Sequence, residues 1–290
     1  MRNPGNIWLN QEGLAAWLAA NREHLDAVVL DIDGVLAMGK TPRAGARELL
    51  AWLRAETLPF FLLTNDANNS PEEKAKRLRI AGVSVQPGEI VSAGHGVAGF
   101  VEKNGLAKTL FFAMGRLGTP CYGEGAGLRI TRDPGKLPVC TGILVGEGGY
   151  DWESVINACI NALVSRPGML LLSPNPDEYY PTGQDGIHVA AGGVARFVAR
   201  VAAARGASVD IHYMGKPHHP VFEMCQARID DELGRRADKD RVLMVGDMLD
   251  ADILGANRFG WMSALMLGAG TPDSALELSE IRPDLIFASL

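Results

Sequence analysis

Three short apolar runs in this chain each end in a polar cluster, and that pairing limits its possible folds more than any other feature. Ala27-Val-Val-Leu30 runs into Asp31-Ile-Asp-Gly-Val35. Pro59-Phe-Phe-Leu-Leu63 runs into Thr64-Asn-Asp66, and Arg241-Val-Leu-Met-Val245 runs into Gly246-Asp247. Short β-rich runs without apolar–polar alternation suit strands buried on both faces, as in a parallel sheet covered by helices. Helical patterns lie between them, over Arg43–Ala55, over Pro71–Ala81 with Ser70 as N-cap, and over Pro220–Leu233. Strands alternating with helices of this length predict an α/β doubly wound parallel sheet. In such sheets ligands bind outside the carboxyl ends of the strands, so Asp, Thr and Asp delivered there converge on one site.

The middle of the chain reads differently. Strand candidates at Thr109–Ala113, Val139–Val145 and Met169–Ser173 alternate with helical patterns over Asp151–Leu163 and Ala190–Ala204. No acidic strand ends like those of the flanking regions are read there. The expected organisation is a discontinuous core, residues 1–92 and 207–290, interrupted by a second α/β domain over 93–206. A helix over Asn10–Asn21 precedes the core, with Leu14, Trp17 and Leu18 on one face. The glycines of Gly123-Glu-Gly-Ala-Gly127 do not form a dinucleotide fingerprint and read as a loop.

Composition narrows the function. The chain has 290 residues, 47% of them hydrophobic and 21% charged, which excludes a disordered chain and allows about two domains. A net charge of −6 opposes nucleic-acid binding, which needs a basic face. It leaves room for a small phosphorylated ligand, since a metal ion and one or two cations can reverse the local field. Cys121, Cys140, Cys159 and Cys225 are spaced too widely for a metal knuckle and read as buried thiols of a reducing compartment. The N-terminus lacks a signal-peptide pattern and no stretch reaches membrane-span length, so a cytoplasmic protein is expected.

The strand ends carry the chemistry. Asp31 and Asp33, two apart and followed by Gly34, can divide labour between nucleophile or metal ligand and proton donor. Thr64 and Asn65 offer a hydroxyl and adjacent N–H groups to a phosphoryl oxygen. Lys216, between Gly215 and Pro217, offers a point charge on a constrained backbone. Asp247, with Asp252 five residues on, can complete an all-oxygen Mg²⁺ site, while Asp250 suits the first turn of a helix.

The joint order of strand–DIDGV, strand–TN, GKP and strand–GDxxxxD resembles the haloacid dehalogenase superfamily of phosphohydrolases. The segments TNDANNSPEEKAKRL, GYDWESVINACINAL, SPNPDEYYP, GKPHHPVF and GDMLDADILGANRFG are similar to its class IIA, the NagD-like or p-nitrophenylphosphatase-type group. That resemblance implies a Rossmann-like core with an α/β cap inserted between the Thr and Lys motifs, where 93–206 falls. It implies Asp31 as nucleophile, Asp33 as acid and base, and Thr64 and Lys216 on the phosphoryl oxygens. Mg²⁺ would sit on the Asp31 carboxylate, the Asp33 carbonyl and the Asp247 carboxylate, with Asp252 orienting Lys216 or a water of the metal.

Two departures from the group stand out. Asp66 replaces a second Asn, and Met38-Gly39-Lys40 replaces an aromatic turn. Leaving-group specificity is expected from Asn175, Asp177, Tyr179, Tyr180 and His188, read as one Pro- and Gly-rich loop of the cap. The reading is a Mg²⁺-dependent phosphatase of a small metabolite, with cap-to-cap homodimers known in the class. Phosphoryl transfer to another acceptor and a phospholigand-binding regulator are the alternatives. Carbon–halogen hydrolysis needs no acid two residues after the nucleophile, and Asp33 argues against it.

Overall fold

The computed structural model describes residues 9–10, 12–39, 41–182, 186–272, 276 and 278–290. Lys40 of the Met38-Gly39-Lys40 departure and Gln11 of the expected N-terminal helix lie outside them. In chain order the strands begin with β1 (Leu9–Asn10), β2 (Ala27–Leu30), a short hairpin β3 (Ala37–Met38) and β4 (Thr41–Pro42), β5 (Phe60–Thr64) and β6 (Ile90–Ser92). Then come β7 (Leu110–Met114), β8 (Arg129–Thr131), β9 (Gly142–Val145), β10 (Leu170–Ser173), a hairpin β11 (Tyr179–Thr182) and β12 (Gly186–Val189), and β13 (Ile211–Tyr213). The last are β14 (Val242–Gly246), β15 (Met262–Met266) and β16 (Leu285–Phe287).

The chain divides into two compact units. One comprises the described residues up to Thr64 together with Lys74–Val91 and Phe222–Leu290; the other comprises Asn65–Glu73 and Ser92–Val221.

The first unit is built on a seven-stranded sheet in the order β1-β16-β15-β14-β2-β5-β6. The pairings from β1 across to β5 are all parallel. Every residue of β2, β5 and β14 is buried, as strands covered on both faces require. Helix Ala46–Ala55 buries Ala46, Leu49, Leu50 and Leu53, the one-face spacing of an amphipathic helix. Truncating one of these leucines to alanine costs about 2–5 kcal/mol. The helix starts three residues later than its periodicity predicts because Arg43 is tied into the preceding loop. Its backbone N–H donates to the Leu36 carbonyl at 2.9 Å, and its guanidinium donates to the Gly34 and Leu267 carbonyls at 2.7 and 2.6 Å.

The N-terminal helix is also shorter than expected. It spans Leu14–Ala20 with Leu14 and Leu18 buried. Leu9–Asn10 instead adds a strand beside β16, where Asn10 Nδ2 donates to the Ile286 carbonyl at 3.2 Å.

The second unit carries a five-stranded sheet in the order β13-β10-β9-β7-β8, with all pairings parallel. Phe112, Ile143 and Leu171 are buried on one face against Cys159, Leu163, Ala195 and Val198 from helices Asn157–Ser165 and Ala191–Ala203. On the other face Phe111, Leu144 and Leu172 pack with Val97, Val101 and Met214.

Four expectations need correction in this unit. The strand placed at Val139 begins at Gly142, because Pro134–Val139 forms a 3₁₀ turn containing Pro138, which has no N–H to give a ladder. The helix placed at Asp151 opens with a wide π-type turn over Trp152–Ile156, capped by Asp151 Oδ1 accepting from the Ser154 N–H at 2.6 Å. The glycines from Gly123 onward are not all loop, since Tyr122–Gly125 is a helical turn. Tyr179, Tyr180 and His188 do not share a loop with Asn175 and Asp177. They belong to the β11–β12 hairpin, where Tyr180 faces His188 across the strands.

Candidate active site

The register of the first sheet sets the site. Leu30 pairs with Val245 and with Leu62, so β2, β14 and β5 end at one edge. Asp31 follows β2 directly and its N–H donates to the Val245 carbonyl at 2.8 Å. Asp31 is buried, while Asp33 beyond it is exposed. The chain then turns tightly: the N–H groups of Leu36 and Ala37 both donate to the Ile32 carbonyl, at 3.0 and 3.1 Å.

Gly34 holds this turn with a φ of +85°, the left-handed region that L side chains disfavour. A Cβ here would lie 2.0 Å from Asp247 Oδ2. The glycine therefore serves the backbone geometry and also leaves space for the Asp247 carboxylate.

Asp247, just beyond β14, is buried and its Oδ2 accepts from the Gly270 N–H at 2.7 Å. Its carbonyl accepts from Thr271 Oγ1 at 2.6 Å, and Thr271 Oγ1 in turn accepts from the Leu249 N–H at 3.2 Å. Asp252 is fully buried, with Oδ2 accepting from the Met248 N–H at 3.1 Å. Gly246 admits it, since a Cβ there would sit 2.2 Å from Asp252 Cβ. Asp250 is exposed in the same helical turn.

One carboxylate oxygen from each of Asp31, Asp247 and Asp252 lies within 4.8 Å of the other two. Two unit charges at that spacing repel by about 3 kcal/mol at an effective dielectric near 20. Three buried carboxylates this close together call for compensating positive charge. An all-oxygen donor set of this kind suits a hard divalent cation such as Mg²⁺. Arg43, whose guanidinium burial pushes below its ordinary range while Asp247 opposes that shift, supplies positive charge beside the cluster.

Thr64 ends β5 and is buried; Asn65 and Lys216, which belong to the second unit, are buried as well. Asn65 clamps the Lys216 backbone. Its Oδ1 accepts from the Lys216 N–H at 2.7 Å, and its Nδ2 donates to the Lys216 carbonyl at 3.0 Å. The same Nδ2 donates to Asp177 Oδ1 at 2.9 Å. Asp66 is used locally: Oδ1 accepts from the N–H groups of Asn68 and Asn69 at 2.7 and 3.2 Å, holding the loop that leads to helix Pro71–Ile80. Ser70 caps that helix reciprocally with Glu73, at 2.7 and 3.3 Å.

The structure thus brings Asp31, Asp247 and Asp252 together, and joins Lys216, Asn65 and Asp177. Asn175 lies in the loop after β10, and Tyr180 Oη sits 3.2 Å from His188 Nδ1. Sequence reasoning missed three contributors. Arg43 and the Gly270–Thr271 loop carry no motif of their own. Glu147 follows β9 after Gly146, an acidic strand end that the reading overlooked, and it is buried with its carboxyl pushed up by burial.

A haloacid dehalogenase-like hydrolase model matches residues 28–129, and a second model of HAD-hydrolase-like proteins matches residues 213–290. The acid sugar phosphatase of Staphylococcus aureus (strain USA300) is 26% identical over 234 residues, covering 81% of this chain and 83% of its own. The 4-nitrophenylphosphatase of Thermotoga maritima superposes with a TM-score of 0.77 at 24% identity, covering 92% of this chain and 95% of its own. A glycerol phosphate phosphatase of Mycobacterium tuberculosis, in complex with magnesium, has a TM-score of 0.77 at 22% identity, covering 91% and 75%. These two structural likenesses carry the fold. Among the described residues no helix is long and apolar enough to cross a membrane.

Proposed function

Because the chain belongs to the haloacid dehalogenase-like hydrolases, we propose that it is a Mg²⁺-dependent phosphomonoester hydrolase acting on a small phosphorylated metabolite, with sugar or polyol phosphates as the substrate class. The observation that carries this reading is the buried Asp31, Asp247 and Asp252 cluster at the ends of β2 and β14. The relative named acid sugar phosphatase and the neighbour named for glycerol phosphate support the substrate class.

In this reading an Asp31 oxygen attacks phosphorus while the bond from phosphorus to the leaving oxygen breaks. Asp33, exposed in the turn after β2, gives its proton to that leaving oxygen. Asp33 then takes a proton from water as the water oxygen attacks the aspartyl-phosphate. The bond between phosphorus and the Asp31 oxygen breaks, releasing orthophosphate and restoring the carboxylate. Thr64 and Lys216 hold the phosphoryl oxygens, and the Asn65 clamp fixes the Lys216 backbone. Bound by Asp31, the Asp33 carbonyl and Asp247, with Asp252 beside them, Mg²⁺ would neutralise the carboxylates and the incoming dianion.

The second unit, which contains the expected 93–206 insertion, is read as the cap that selects the leaving group. Its buried, free cysteines accord with a reducing, cytoplasmic setting. The test is release of inorganic phosphate from a panel of sugar phosphates, nucleoside monophosphates, phosphoglycolate and pyridoxal phosphate, with Mg²⁺ and with chelator. Turnover that requires Mg²⁺ and favours sugar phosphates supports the reading. Binding of these compounds without phosphate release contradicts it.

A further inference from the structure

The second unit holds a cavity of about 620 Å³ whose wall includes Arg116, Glu147, Tyr150, Trp152, Tyr180 and Phe197. Most of that wall is aromatic or aliphatic. Glu147 lines this space together with Tyr150 and Tyr180, and its charge adds to burial in pushing both hydroxyls up.

From Glu147 an unbroken chain of hydrogen bonds runs to Lys216. Asn175 Nδ2 donates to Glu147 Oε1 at 2.7 Å, and the Asp177 N–H donates to Asn175 Oδ1 at 2.9 Å. Asn65 Nδ2 donates to Asp177 Oδ1 at 2.9 Å, and Asn65 Oδ1 accepts from the Lys216 N–H at 2.7 Å. Glu147, Asn175, Asn65 and Lys216 are 8%, 4%, 7% and 3% exposed and Asp177 is half-buried, so most of this chain is shielded from water. Each link also uses a different atom pair, so moving one member shifts the next.

We propose that Glu147 is the specificity-determining residue of this cavity and that Asn175, Asp177 and Asn65 are positioning residues that tie its placement to the Lys216 backbone. The proposal rests on the phosphatase reading, in which Lys216 holds the phosphoryl group. A carboxylate among aromatic walls accepts hydroxyl hydrogen bonds while the rings cover the C–H face of a leaving group. That chemistry selects a polyhydroxylated leaving group over a flat one without donors.

The test compares kcat and KM of the full-length protein for glucose 6-phosphate and glycerol 3-phosphate with those for p-nitrophenyl phosphate, which has no hydroxyl donor. Glu147→Gln should lower the ratio of kcat/KM for the polyol phosphates to that for p-nitrophenyl phosphate by about 10-fold or more, chiefly through KM. Asn175→Ala and Asp177→Ala should each lower kcat on all three substrates by roughly 10-fold, because Lys216 loses its alignment. Asp177→Asn, which keeps an oxygen for Asn65 Nδ2, should restore most of that loss, with melting curves checking that each variant folds.

An unchanged substrate ratio in Glu147→Gln overturns the specificity role. Unchanged kcat in Asn175→Ala and Asp177→Ala, with only lower melting temperatures, reduces the chain of bonds to a tether of the loop and overturns the positioning role. A wild-type protein that hydrolyses none of the three overturns the phosphatase reading and this proposal together. The first two failures occur with an active wild type and are therefore distinguishable from the last.

Discussion

Gly34→Ala probes the link between backbone geometry and the acidic cluster. The residue sits at φ +85°, where an alanine costs about 1–2 kcal/mol relative to glycine. The new Cβ would lie 2.0 Å from Asp247 Oδ2 and 2.5 Å from Asp247 Cγ, far inside contact distance, so the carboxylate must move. Moving it breaks the 2.7 Å bond from the Gly270 N–H, a bond to a charged group and worth about 1.5–3 kcal/mol. The sum is about 2.5–5 kcal/mol, which in a chain of this size lowers the melting temperature by on the order of 10 °C. Displacing Asp247 also takes one oxygen away from Asp31 and Asp252. The Mg²⁺ concentration for half-maximal p-nitrophenyl phosphate hydrolysis should then rise roughly 10- to 100-fold. Circular-dichroism melts and a Mg²⁺ titration read the two effects separately. A lower melting temperature with an unchanged Mg²⁺ response would refute the claim that this glycine makes room for a metal-holding carboxylate.

Two further predictions concern pH, and they have opposite signs. Asp26 is held well below the usual carboxylate range, first by Arg235, at 3.0 and 2.9 Å, and then by Arg241 at 3.0 Å, against the opposing effect of burial. Its folded-state value is depressed, so its contribution is present above its ordinary value of 3.8 and is lost as pH falls below it. Asp26→Asn should cost about 1–3 kcal/mol at pH 7 and progressively less toward pH 3, read as urea midpoints. Glu147 is shifted upward by burial, so the unfolded chain releases this proton first as pH climbs from 4.5, and stability falls across that window. Glu147→Gln should flatten this limb in urea midpoints taken from pH 4.5 to 7, and an unchanged slope would assign it to other groups.

The parallel sheet was legible in the sequence because β2, β5 and β14 are buried on both faces and read as unbroken apolar runs. The acidic cluster was legible for a related reason: Asp31 and Asp247 directly follow those runs, and Asp252 lies one helical turn beyond. Element ends were less legible. Arg43 belongs by periodicity to the helix it precedes, but three backbone carbonyls compete for its guanidinium and hold it in the loop. β1 has only two residues, too few to show a period, and its partner β16 is hundreds of residues away in the chain. Tyr180 and His188 read as loop because Pro and Gly surround them, while their cross-strand pairing depends on a hairpin that local pattern does not announce. Glu147 went unread because one acidic residue after a short strand is common. Its meaning comes only from burial and from Asn175, a contact 28 residues away in sequence.

The central claim is that Asp31 is the nucleophile of a phosphomonoester hydrolase, and Asp31→Asn tests it most directly. The substitution keeps the size of the side chain and removes the charged attacking oxygen. Hydrolysis of p-nitrophenyl phosphate by this variant, measured at saturating Mg²⁺ alongside its melting curve, should fall by several orders of magnitude while the fold persists. Substantial turnover by a folded Asp31→Asn protein would contradict the account.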